Sequence, residues 1–138
     1  MSTKDWLMRA WRIDREVNAL LEARQRAYNM ATAATARPKD VCVKSSGSRR
    51  NAIDTYVGYG DLINRRIDDL IDVKQEICDV IKKIDDTTLR TLLYERYINC
   101  RTWERIAADM SYSYIHVVQR LHPKALREIA KLIKDDTQ

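Results

Sequence analysis

Residues 102–121 read TWERIAADMSYSYIHVVQRL and decide the predicted architecture of the C-terminal third of the chain. Thr102 and Ser113 are residue types that favour helix N-caps, and each precedes a short stretch with helical spacing of apolar residues. In the second stretch Val117 and Leu121 lie at i and i+4, so they share one helix face. The residues just before Ser113 are left for a tight turn. The spacing therefore predicts a helix-turn-helix.

The face opposite this apolar pair is predicted to be exposed and largely polar. It carries Ile115, His116, Gln119 and His122, with Arg120 beside it. Glutamine can bond both hydrogen-bonding groups of adenine in the major groove, and arginine those of guanine. The helix 113–122 is therefore a candidate recognition helix, although a compact helical domain with a solvated outer face would show the same pattern.

Basic residues follow the candidate recognition helix. His122 and Pro123 predict a helix boundary, because proline fits the first position of a helix. Lys124, Arg127 and Lys131 then share one helix face and are predicted to contact DNA phosphates, unless they only solubilise the helix. The predicted DNA-contacting residues are Thr102, Ser113, Tyr114, Ile115, His116, Gln119, Arg120, Lys124 and Arg127.

The first 86 residues have a different pattern, a seven-residue repeat of apolar positions typical of coiled-coil packing. One repeat predicts a helix over 4–35 and comprises Trp6, Ile13, Leu20, Ala27 and Ala34; the other predicts a helix over 52–84 and comprises Tyr56, Ile63, Leu70, Ile77 and Ile84. Gly58 and Gly60 weaken a helix, so the second helix is expected to start nearer Asp61. Between the helices, RPKDVCVKSSGSRRN at 37–51 predicts a loop.

Two helices of matched length predict an antiparallel helical hairpin over 1–86. A hairpin alone buries only a narrow seam, so we expect a second chain to complete it and the protein to be a homodimer. The predicted oligomer interface comprises Ile13, Val17, Leu20, Ile63, Leu70 and Ile77. Asp86 or Thr87 is predicted to cap a helix reaching about Ile98, which begins a helix-turn-helix domain over 87–138.

The composition excludes several classes of protein. Three glycines and two prolines among 138 residues are too few for the turns of a β-sandwich or barrel, so the predicted class is all-α. No apolar run approaches the ~20 residues of a membrane span. The three cysteines show no CxxC spacing, which favours a reducing cytoplasm. The net charge of +5 and the basic C-terminal block suit a polyanionic partner.

Enzymatic and metal-binding patterns do not occur. The two histidines match neither HExxH nor a zinc finger, and no glycine-rich phosphate loop or nucleophilic triad is recognisable. The acidic residues of the second long helix alternate with basic ones, as on a solvated helix face. We therefore predict a non-enzymatic protein without metal or cofactor.

Residues 87–129 resemble region 4 of bacterial sigma factors. The positions that correspond to the region-4 motif are the cap Thr102, Ile106-Ala107, the turn position at Ser111, then Ser113, Val117, Gln119 and the basic stretch Lys124-Ala125-Leu126-Arg127. The whole chain is similar to a phage-encoded family of region-4-like proteins, which includes RinA/ArpU-type regulators of late phage genes. Two positions depart from the pattern: Ser111 replaces the usual turn glycine, and Arg120 replaces an apolar residue.

The resemblance implies a phage transcription regulator that binds double-stranded DNA sequence-specifically in the bacterial cytoplasm, with host RNA polymerase as a possible further partner. Two other functions suit the same pattern. A small terminase subunit would combine a helix-turn-helix with oligomerising helices to package DNA. An interaction protein would bind RNA polymerase or a sigma factor through the helical half and would not bind DNA.

Overall fold

The structure, a computed structural model, describes the backbone of residues 1–36 and 42–136 and the side chains of 1–33 and 50–134. Within these ranges the chain forms helices and no strand, which confirms the all-α class. The helices are α1 (Thr3–Ala36), α2 (Cys42–Ile81), α3 (Thr87–Leu93), α4 (Trp103–Met110), α5 (Tyr114–His116) and α6 (His122–Asp136). Two π-helical segments, Tyr94–Ile98 and Val117–Leu121, continue α3 and α5. In the described part of the chain, no helix is both long enough and apolar enough to cross a membrane.

The predicted loop over 37–51 is wrong for its second part, because α2 begins at Cys42. Residues 37–41 lie outside the described residues. A helix can pass through the serine-rich run because serine has an intermediate helix propensity and an interior glycine costs only about 1 kcal/mol. Gly58 and Gly60 also lie inside α2 without a positive φ angle, so the expected start near Asp61 is wrong as well.

Contacts divide the chain into two compact units, and the division does not fall at the predicted boundary at residue 86. The terminal unit comprises Met1–Asp14 and Leu70–Gln138, and the middle unit comprises Arg15–Asp69. The core of the terminal unit therefore contains residues from both ends of the sequence. Leu7 and Ala10 of α1 and Ile77 of α2 are fully buried there in one cluster with residues of the C-terminal helices, including Tyr97.

In the middle unit, parts of α1 and α2 run antiparallel. Glu16 Oε2 accepts a hydrogen bond from Arg66 Nη2 at 2.7 Å, and the rings of Tyr28 and Tyr56 have centroids 5.9 Å apart. Glu16 precedes Tyr28 in α1, whereas its partner Arg66 follows Tyr56 in α2. This reversed order of contacts shows that the two segments are antiparallel.

The chain's own helices bury most of the residues predicted to form an oligomer interface. Val17 and Ile63 in the middle unit are 6% and 2% exposed, and Leu70 and Ile77 in the terminal unit are also buried. Ile13 and Leu20 are half-buried. One chain therefore buries four of these six residues, while Ile13 and Leu20 keep part of their apolar surface exposed.

The predicted helix boundary at His122-Pro123 is wrong, since the backbone stays helical from Tyr114 to Asp136. The π-helical turn accounts for this. The N–H of His122 donates to the carbonyl oxygen of Val117, five residues earlier. Proline lacks an N–H and crowds the carbonyl four residues before it, and a wider turn at this point accommodates both effects without ending the helix.

Candidate nucleic-acid interface

Side-chain caps begin both helices of the predicted helix-turn-helix, as expected. Thr102 has an extended backbone, and its Oγ1 accepts a hydrogen bond from the N–H of Arg105 at 3.3 Å. Ser113 has the same conformation, and its Oγ accepts from the N–H of His116 at 3.1 Å. Asp86 caps α3 by accepting from two backbone N–H groups. These hydrogen bonds satisfy donors that a helix N-terminus otherwise leaves free.

The turn between α4 and α5 is built on a left-handed residue. Ser111 has φ 60° and ψ 37°, and it ends α4 at Met110. The N–H of the next residue, Tyr112, donates to the carbonyl oxygen of Ala107 at 3.0 Å and closes the turn. Glycine would adopt this conformation more cheaply than serine, so the turn is formed at a cost of about 1–2 kcal/mol.

The predicted buried side of α4 and of the candidate recognition helix is buried in the structure. Ile106 and Val117 are fully buried, Ala107 is 4% exposed, and all three belong to the core of the terminal unit. Leu121 is half-buried and packs against the same cluster. The predicted phase of the candidate recognition helix is therefore confirmed at Val117, its central buried residue.

The opposite side is open to solvent. All nine residues predicted to contact DNA are exposed: Thr102, Ser113, Tyr114, Ile115, His116, Gln119, Arg120, Lys124 and Arg127. Three of the neighbouring exposed side chains are apolar or aromatic, with Ile115 at 64%, Tyr114 at 47% and Tyr112 at 41% exposure. The ring of Tyr112 lies 5.2 Å from that of His116, centroid to centroid. The first turn of the helix thus presents both apolar and hydrogen-bonding groups.

His122, which was expected on this open face, is instead 7% exposed in the core. Its Nε2 lies 2.6 Å from the hydroxyl oxygen of Tyr97. Burial, together with the charges of Lys4 and Arg96, lowers the pKa of His122 to about 4. The sequence-based phase assumed a regular α-helix, whereas the π-helical turn adds one residue and rotates later positions by about 100°.

Arg96 forms cation–π contacts with two tryptophan rings in the terminal unit. The guanidinium carbon of Arg96 lies 4.3 Å from the ring centroid of Trp11 and 4.5 Å from that of Trp103. The Trp103 ring is in turn 4.5 Å from the ring of His122, centroid to centroid. Cation–π contacts of this kind stabilise by about 0.5–2 kcal/mol. No local sequence pattern indicates this group, because Trp11 lies far from Arg96 and Trp103 in the sequence.

The basic residues of α6 differ in their surroundings. Lys131 Nζ lies 3.3 Å from Glu128 Oε1, so part of its charge is balanced within the helix. Lys124 and Lys131 also line a cleft of about 380 Å³ together with Asp86 and Glu128. Arg127 is exposed and does not line this cleft. All three predicted phosphate-contacting residues are exposed, and Lys131 is the one that pairs with Glu128 within the helix.

A metal site finds no support in the described residues, where no group of three or more potential metal ligands is brought together. Comparison with protein-family models, with curated proteins and with solved structures found no match. Any functional inference therefore depends on the sequence pattern and on the geometry above.

Proposed function

We propose that this chain is a transcription regulator of phage type that binds double-stranded DNA sequence-specifically. The candidate recognition helix enters the major groove, and its exposed side chains contact base edges. The observation that carries the proposal is the division of this helix into a core-packed side at Val117 and a solvent-exposed side with Gln119 and Arg120. A helix anchored in this way can insert its polar side chains without unfolding its own domain.

Electrostatics and the resemblance to sigma region 4 support the same proposal. The chain carries a net charge of +5, and Lys124 and Arg127 extend the exposed basic surface beyond the recognition helix. Basic side chains beside a groove-reading helix supply the sequence-independent part of DNA affinity and set the register. Under this proposal the protein acts in the bacterial cytoplasm, and host RNA polymerase is a further candidate partner.

We also propose that the protein binds DNA as a homodimer. Because four of the six predicted interface residues, Val17, Ile63, Leu70 and Ile77, are buried within one chain, the dimer is expected to use other apolar side chains as well. Exposed examples in the middle unit are Leu21, Tyr28, Met30, Ile53 and Val57. Analytical ultracentrifugation of the full chain tests this directly, since a dimer is expected at tens of micromolar. A ring of eight to twelve copies would favour a small terminase subunit.

Selection from a random pool of duplex DNA tests the proposed DNA binding. The full chain is expected to enrich a defined sequence. Gln119→Ala and Arg120→Ala should then each weaken binding to that sequence by about 1–3 kcal/mol and relax selectivity at one base pair. Gln75→Ala, at an exposed glutamine of α2, is the matched control and should leave affinity unchanged.

Two results would count against DNA reading by this helix. The first is the absence of any enriched sequence. The second is an enriched sequence whose affinity is the same for wild type, Gln119→Ala and Arg120→Ala. Capture of RNA polymerase by a chain that enriches no DNA sequence would instead favour the interaction-protein alternative.

A further inference from the structure

Ile115 is an aliphatic side chain exposed in the first turn of the candidate recognition helix. It is 64% exposed, although Val117, two residues later, is fully buried. Two residues span about 200° of an α-helix, so these side chains point in nearly opposite directions. Ile115 therefore projects away from the core of its own unit, on the side that carries the predicted base-reading residues.

The spacing of Ile115 and Gln119 places both on that side. They are four residues apart, about one turn of helix, and both are exposed. Four residues advance the helix by about 6 Å, which corresponds to about two steps of 3.4 Å along a DNA strand. An aliphatic group and an amide thus lie within about two base pairs of each other.

The major groove offers one aliphatic partner for such a group. Among the four base pairs only those containing thymine present a methyl group there, whereas the other groups at the base edges donate or accept hydrogen bonds. An isoleucine side chain has no polar atom and cannot bond those groups. It can gain affinity only by covering apolar surface.

Resting on the proposed DNA binding, we propose that Ile115 contacts the C5 methyl group of a thymine. This contact determines specificity at a second position beside the adenine that Gln119 bonds. The preferred DNA site therefore contains a thymine within about two base pairs of that adenine. The role of Ile115 is selection among sequences, while Arg127 and Lys124 contribute affinity for any sequence.

Replacing thymine by uracil removes only the methyl group and tests the contact directly. Duplexes of the enriched sequence are made with uracil at one thymine position at a time. Their dissociation constants are measured by fluorescence anisotropy with wild type, Ile115→Ala and Ile71→Ala. Ile71 is the matched control, because it is a 59% exposed isoleucine in the same unit but on α2.

Wild type and Ile71→Ala are expected to lose about fourfold in affinity when one particular thymine is replaced, the effect of exposing one methyl group. Ile115→Ala should bind the two duplexes equally. That thymine should lie within about two base pairs of the position relaxed by Gln119→Ala.

The inference would be overturned if no thymine-to-uracil replacement weakened binding of the wild type. It would also be overturned if the replacement weakened wild type and Ile115→Ala equally. Either result would leave the proposed DNA binding intact, since a sequence was enriched. Failure to enrich any sequence would overturn the proposed function and this inference together.

Discussion

His122 should make the stability of the terminal unit depend on pH. In an unfolded chain the imidazole has a pKa near 6.5 and takes up a proton as the pH falls from 7 to 5. Buried beside Tyr97, His122 has a pKa of about 4 and stays neutral over this range. Because the unfolded state binds the proton first, acid favours unfolding, and stability rises with pH.

The magnitude follows from the two pKa values. Between pH 7 and pH 5 the free energy of unfolding should fall by about 2 kcal/mol because of His122, and most of this decline occurs below pH 6.5. His122 is only 7% exposed, so solvent screening reduces this figure little. Urea denaturation followed by tryptophan fluorescence at pH 7, 6 and 5 measures the effect. This range stays above the pKa of most carboxylates, which would add their own slope.

Two variants identify the residue responsible. His122→Gln should be less stable than wild type at pH 7 but should lack about 2 kcal/mol of the decline to pH 5. His116→Gln is the matched control, because it makes the same substitution at an exposed histidine. An equal decline in wild type and His122→Gln would refute the assignment of a buried neutral imidazole.

Four further predictions follow from the same structure. Changing both Lys124 and Arg127 to alanine should weaken specific and non-specific DNA binding together and reduce the salt dependence by roughly two units of slope; a loss confined to one sequence, seen by titration at several salt concentrations, would contradict a phosphate-contacting role. Leu7→Ala should destabilise the terminal unit by about 2–5 kcal/mol in urea denaturation, because Leu7 is fully buried in its core. For the same reason a fragment of residues 87–138 should show little helical circular dichroism, and a stably folded fragment would refute the shared core. Gly58→Ala and Gly60→Ala should each raise the free energy of unfolding, measured by thermal denaturation, by about 0.5–1 kcal/mol. Both glycines are helical, and an added Cβ meets no atom within 4 Å.

Features that depend on hydrogen bonds between near neighbours were predicted well from the sequence. The caps at Thr102 and Ser113 each join residues three apart, so residue type and spacing are sufficient to locate them. The buried position of Val117 follows from helical periodicity over a single turn. By contrast, the ends of α2 and the supposed break at Pro123 were wrong, because a favourable helix can extend through one unfavourable residue when its neighbours compensate.

The sequence by itself determined the all-α class, the capped helices and the exposed set of candidate DNA-contacting residues, since each depends on periodicity or on local hydrogen bonds. Only the tertiary structure decided the surroundings of residues far apart in the chain. It placed Arg96 between Trp11 and Trp103, and it turned His122 into the core beside Tyr97. Such contacts arise from packing between distant segments, and helical periodicity carries no information about which segments meet.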